Sequence, residues 1–121
     1  MNRLRKNILL VFVASILAFS GFSLWAATRA SVPDDVKNKL SQDLIERIQA
    51  GTFDTIHDCI IACRSIDDAY TVINTIPNES VEQVWELLGG FHAFLTPDQI
   101  FRIARMDEVV RIDYNAVITA F

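Results

Sequence analysis

Hydrophobic positions along this chain switch repeatedly between a helical and a strand period. After residue 31, Val36, Leu40, Leu44, Ile45 and Ile48 recur at helical spacing up to Gly51, behind a start, Ser31-Val-Pro-Asp-Asp, with Pro33 early and acids in the first turn. This predicts a short amphipathic helix over residues 31–51. Residues 55–64 are near-continuously apolar and β-branched, with Ile56, Ile60 and Ile61, and read as a central strand. Ser65 with Asp68 three residues on is a helix cap, and Ala69, Val72, Ile73 and Ile76 form the buried stripe before Pro77 stops it. Residues 81–88 predict a second strand, Gly89-Gly90 a reversal or bulge, and the alternation Phe91, Ala93, Leu95 a third strand. Thr96-Pro97-Asp98-Gln99 is the strongest local signal: a Thr cap, Pro in the first turn and Gln at the third position, with Ile100, Ile103 and Ala104 on one face. A fourth strand follows, with Val110, Ile112 and Tyr114 predicted inward and Arg111, Asp113 and Asn115 outward. Strand, helix, strand, strand, helix, strand folds as an antiparallel sheet with two helices on one face and right-handed crossovers.

The first thirty residues differ in kind. Arg3, Arg5 and Lys6 precede a charge-free run, ILLVFVASILAFSGFSLW, from Ile8 to Trp25, which reads as an export signal. The run is long enough to leave an uncleaved anchor open, while Ser20, Gly21 and Ser23 near its end favour cleavage, before Ser31 or near Ala26. The chain totals 11 Lys+Arg and 15 Asp+Glu; Arg3, Arg5, Lys6 and Arg29 fall in the first thirty residues, which hold no acid, so residues 31–121 keep 7 against 15, a charge near −8. Nucleic acid is excluded as a partner, because phosphate binding needs a basic patch. One small exported domain, secreted or periplasmic, is the expectation, with membrane contact only if the signal segment stays uncleaved.

The last residues supply the candidate binding element. An alternating strand runs out into Ile118-Thr-Ala-Phe121, which read backwards gives an aromatic, a small, a polar and a branched apolar residue. A protease cleft with two apolar pockets can hold such a peptide as an added strand; a frayed terminus is the plain alternative.

The run Gly90-Phe-His-Ala-Phe-Leu-Thr-Pro-Asp-Gln-Ile100, then Val109-Val-Arg-Ile-Asp-Tyr-Asn115 at a fixed distance before the terminus, resembles the propeptides of subtilisin-like serine proteases and the free-standing inhibitors related to them, over residues 56–121. The resemblance implies an α+β, ferredoxin-like βαββαβ fold at residues 52–121, with residues 31–51 as a helical extension. It implies a sheet that docks on two parallel protease helices, with Asp113 capping the N-terminus of one and Asn115 the other, where the family more often has acids at both. Gly89 stands where some relatives carry another acid. The tail would lie product-like in the cleft: Phe121 in the primary specificity pocket, Ala120 and Thr119 pairing by backbone, Ile118 in the fourth pocket. The implied function is inhibition of a subtilisin-like serine protease by a protein that is monomeric when free, with assistance to that protease's folding in trans as a further role.

Other candidate chemistry is weaker. His57, Cys59 and Cys63 form an H-x-C-x3-C pattern, but on a strand Cys59 and Cys63 lie about 13 Å apart, too far to bridge or share an ion. On a helix they would approach, so a small extracytoplasmic ferredoxin-like module binding a metal or a protein is the second reading. No Ser or Cys sits in a recognisable nucleophile turn, and Gly89-Gly90 lacks the strand-to-helix context of a phosphate loop. The expectation is a protein that is not an enzyme, with no catalytic residue, metal or cofactor of its own.

Overall fold

The computed structural model describes residues 29–116. The signal or anchor segment and the tail Ile118, Thr119, Ala120 and Phe121 therefore lie outside the described residues. Within them the chain is α+β: a four-stranded antiparallel open sheet with three helices. The strands are β1 (His57–Cys63), β2 (Val81–Trp85), β3 (Gly90–Leu95) and β4 (Val109–Tyr114), and the helices α1 (Gln42–Ala50), α2 (Ile66–Ile73) and α3 (Pro97–Ala104). Sheet order is β2-β3-β1-β4, compatible with a ferredoxin-like arrangement.

Local sequence explains the starts of all three helices. Ser65 accepts from the Asp68 N–H at 3.1 Å to open α2. Thr96 and Gln99 close a full capping box on α3, with Pro97 in its first turn. Each satisfies backbone donors that a helix start leaves unpaired, typically worth ~1 kcal/mol. The third start, Ser41, departs from the sequence expectation. The region predicted as one helix over residues 31–51 breaks in two: a 3₁₀ turn (Lys37–Lys39), then α1 from Gln42. Between them Leu40 is extended and pairs in parallel with Ile112, and the Ser41 N–H donates to the Ile112 carbonyl at 3.0 Å. Ser41 Oγ then accepts from Leu44 N–H at 3.3 Å and Tyr114 N–H at 3.4 Å. The outer edge of β4 outcompetes helix continuity because its unpaired backbone groups take up Leu40 and Ser41.

This segment is part of the core and no appendage to it. Val32, Val36, Leu40, Leu44, Ile45 and Ile48 are all buried in one cluster with Cys59, Ile61, Phe91, Ala93, Leu95, Ile100, Ile103 and Ile112. Lys39 Nζ donates to the Met106 carbonyl at 2.9 Å, and Asp35 pairs with Arg105 at 2.8 Å, tying the segment to the end of α3. All three helices contribute to this cluster, so three helices, and not the two expected, lie on one face of the sheet.

Two further departures concern the strands. β2 ends at Trp85, short of Leu88: the Leu88 N–H returns to the Trp85 carbonyl at 3.2 Å, and Gly89, at φ +64°, closes the turn. In β4, pairing steps from Ala62↔Arg111 to Cys63↔Val109, so Val110 is an extra residue. This bulge puts Val109 and Ile112 in the core and leaves Val110, expected inward, 54% exposed.

Because Leu44 is fully buried where α1 meets the sheet, Leu44→Ala is expected to destabilise the protein by about 2–5 kcal/mol in denaturant titration, while the exposed Glu46→Ala stays within ~0.5 kcal/mol. Equal, small effects would mean that residues 31–51 do not belong to the folding unit.

Candidate functional site

Alternation along β1 sends His57, Cys59, Ile61 and Cys63 into the core and turns Asp58, Ile60 and Ala62 to the opposite face. Among the described residues no helix packs on that second face. Register fills it in from both sides. Ile60 stands opposite His92 on β3 and Asp113 on β4, Ala62 opposite Arg111, and Asp58 opposite Phe94. Trp85 on β2 joins them by stacking on the His92 ring, centroids 6.3 Å apart and planes 4° from parallel, while Phe94 tilts against the same ring at 5.2 Å. Ile60, Ala62, Trp85, Leu88 and Gly90 line a shallow apolar hollow of about 310 Å³ here.

A polar knot sits beside the aromatics. His92 Nε2 meets Asp58 Oδ1, the Asn115 N–H donates to the Asp58 carbonyl at 2.9 Å, and Asn115 Nδ2 reaches Asp58 Oδ1 at 3.5 Å. One carboxylate thus ties β1 to β3 and to the point where β4 runs out toward the tail. Asp113 is paired with Arg111 at 2.8 Å, both side chains partly exposed. Such a pair contributes under ~1 kcal/mol, so Asp113 can exchange Arg111 for another donor at small cost. Asn115 differs: it is 8% exposed, with its amide nitrogen turned to Asp58. Of the two residues assigned to helix capping, Asp113 is accessible on the uncovered face and Asn115 is held within the chain. The Asp58–His92 contact was missed from sequence, since residues 34 apart meet only through the β1–β3 register.

His57, Cys59 and Cys63 do lie on a strand, as expected, all three pointing into the core. Both cysteines are free. Burial, helped by Asp58, pushes the Cys59 thiol far above its ordinary range, and burial with Asp68 and Glu108 pushes Cys63 up to about 11. At neutral pH both are thiols, poor nucleophiles and poor metal ligands. Among the described residues no group of three or more His, Cys, Asp or Glu side chains is placed to hold a metal ion, and no helix is long and apolar enough to cross a membrane. The sequence matches no protein-family model, and no curated protein matches it.

Desolvation, and next the nearby Arg47, hold the His57 pKa below its ordinary value. An unfolded chain therefore takes up a proton near pH 6.5 that the folded one resists, so folding stability contributed at this site is intact above pH 6.5 and falls as pH drops through it. Comparing wild type with His57→Gln in denaturant titrations at pH 7.5 and 5.5, the variant is expected to lose less stability on acidification. Identical losses would show that His57 titrates alike in both states.

Proposed function

We propose that the protein inhibits a subtilisin-like serine protease, its domain a ferredoxin-like βαββαβ unit that docks by the uncovered sheet face and lays Ile118, Thr119, Ala120 and Phe121 product-like in the substrate cleft. The observation that carries this reading is the uncovered face itself: a half-apolar surface of Trp85, Phe94, Ile60 and Ala62, bordered by the accessible carboxylate of Asp113, on a sheet whose last strand leads directly to the tail. A carboxylate there can meet the unpaired N–H groups and partial positive charge of a helix N-terminus, an interaction of ~0.3–1 kcal/mol. The neutral Asn115 forgoes the charge term, and its role falls on orienting the tail's root through Asp58. A rigid domain that presents an extended tail avoids much of the ordering cost a free peptide incurs. The same docked surface would serve a protease still folding, which supports assistance in trans as a second role of one interface.

The alternative, a binding module built on His57, Cys59 and Cys63, is disfavoured by the burial and neutral state of both thiols. Titrating the protein into a subtilisin-like protease, with a peptide substrate carrying an aromatic residue before the scissile bond, is expected to give saturable inhibition. A version ending at residue 117 should lose it roughly a hundredfold or more while keeping its fold, since four cleft-bound residues carry several kcal/mol of binding. Undiminished inhibition by the shortened chain would sink the tail mechanism.

A further inference from the structure

The chain enters the domain at a fixed point. Arg29, the first of the described residues, forms an antiparallel bridge with Thr52, and the Ala30 N–H donates to the Gly51 carbonyl at 3.3 Å. Ala30 is 5% exposed and belongs to the core cluster, so the cut before Ser31 that the sequence allows would remove a packed residue along with this bridge. In an antiparallel pair, stepping back from one residue runs alongside stepping forward from its partner. The chain that precedes Arg29 therefore arrives on the side of Phe53.

Phe53 sits in a turn held from within: the Thr55 N–H donates to the Thr52 carbonyl at 3.2 Å, and the Thr52 N–H to Thr55 Oγ1 at 3.0 Å. This short, braced segment shows water two large apolar side chains, Phe53 at 42% and Ile56 at 64% exposure. The sequence upstream supplies a reason for them. The charge-free run from Ile8 to Trp25, outside the described residues, would measure about 27 Å as a helix, the hydrocarbon thickness of a thin bilayer. It follows Arg3, Arg5 and Lys6 and closes on Trp25, an aromatic suited to headgroup level. Ala26, Ala27 and Thr28 alone separate Trp25 from Arg29, a reach of at most about 14 Å. The opposite end of the sheet, where the exposed Leu87 and Leu88 leave β2, lies a further ~20 Å away along β1.

We infer that residues 1–28 stay on the folded protein as a membrane anchor, and that the turn carrying Phe53, together with Ile56, rests on the lipid surface. The two side chains enter the headgroup boundary and leave water, while the exposed Asp54 between them stays among the headgroups. Residues 31–121 carry a charge near −8, so the contact rests on apolar burial and a zwitterionic bilayer is the one to use. This surface is separate from the sheet face assigned to a protease and does not depend on that reading.

The isotope-labelled full chain in phosphatidylcholine nanodiscs is the sample, its amide signals compared with and without a lipid carrying a nitroxide on the headgroup. Amides of residues 52–56 are expected to broaden roughly fivefold or more beyond those of Leu87 and Leu88, given the length of the sheet between them. Phe53→Ser combined with Ile56→Ser, both at exposed positions, should keep the fold and lower that broadening about threefold, because a tether alone lets the domain tilt away. Equal broadening at both ends, strongest broadening at Leu87 and Leu88, or indifference to the double substitution would overturn the lipid contact. Intact mass of the protein exported by a bacterial host reads the anchor directly: retention of residues 1–28 is expected, and a form lacking them would overturn it.

Discussion

Strand β1 is paired on both sides, with β3 and with β4, and its alternation divides the molecule into a packed half and an uncovered half. Side chains of His57, Cys59, Ile61 and Cys63 face the helices; Asp58, Ile60 and Ala62 face away. A slip of one residue against β3 would exchange the two sets, drawing Asp58 into the core and turning Ile61 out. Backbone sterics guard the register at one end. Gly90 lies so close to β1 that a Cβ there would stand 2.8 Å from the Ile61 carbonyl oxygen, and the neighbouring Gly89 needs its left-handed φ to complete the turn from β2. At the other end the Asp58–His92 contact is possible only in this register. The two glycines and the polar pair thus specify one alignment from opposite ends of the strand.

How much of this was legible in the sequence follows from how local each determinant is. Ser65 and Thr96 cap the helices that follow them through bonds spanning three residues, and both helices start where the sequence predicts. The apolar stripes of the helical segments were legible as well: Val36, Leu40, Leu44, Ile45 and Ile48 are all buried. Yet periodicity alone does not say that Leu40 leaves the helix to pair with Ile112, because that bond joins residues 72 apart and depends on an edge strand having room for it. The bulge at Val110 is of the same kind. Strict alternation assigns Val110 inward; closing Cys63 against Val109 while keeping Ile112 under Ile61 requires one extra residue, and only the paired strand reveals it. The two histidines divide along the same line. That residues 57–63 form a central strand was readable from their apolar and β-branched density, whereas His92 acquires its Asp58 and Trp85 partners from strands β1 and β2.

The tail's starting point is built from the same knot. Past Tyr114 the chain makes one more bond to β1, from the Asn115 N–H to the Asp58 carbonyl, and the Asn115 side chain meets the carboxylate that also holds His92. The direction in which the chain leaves the sheet is thereby referred to three strands. On the core side, Ser41 accepts from the Tyr114 N–H and Arg47 covers the Tyr114 ring, so the last residue of β4 is clasped by the segment that precedes the sheet in sequence. The uncovered face holds one side of this exit and α1 the other. For a mechanism in which a peptide is offered to a cleft already extended, the entropy that matters is that of the few residues between an anchored root and the cleft, and each fixed backbone at the root removes about 1–2 kcal/mol of ordering cost from the binding step.

That anchoring explains how an Asn can stand at a position where resemblance anticipates an acid. A free carboxylate at residue 115 would face the Asp58 carboxylate across the contact that the Asn amide now makes, two like charges at hydrogen-bonding distance in a site 8% exposed. Partial burial makes such repulsion stronger than it would be in water. An amide removes the repulsion and contributes a donor. In the docking proposed above, one helix-capping charge is thus forgone in favour of a fixed chain exit at Asn115, and the charge–dipole contact would fall to Asp113, whose bond to Arg111 is exposed and readily exchanged. An acid at residue 115 would then strengthen the proposed docking only if Asp58 were neutralised at the same time, because the two positions act as one electrostatic unit.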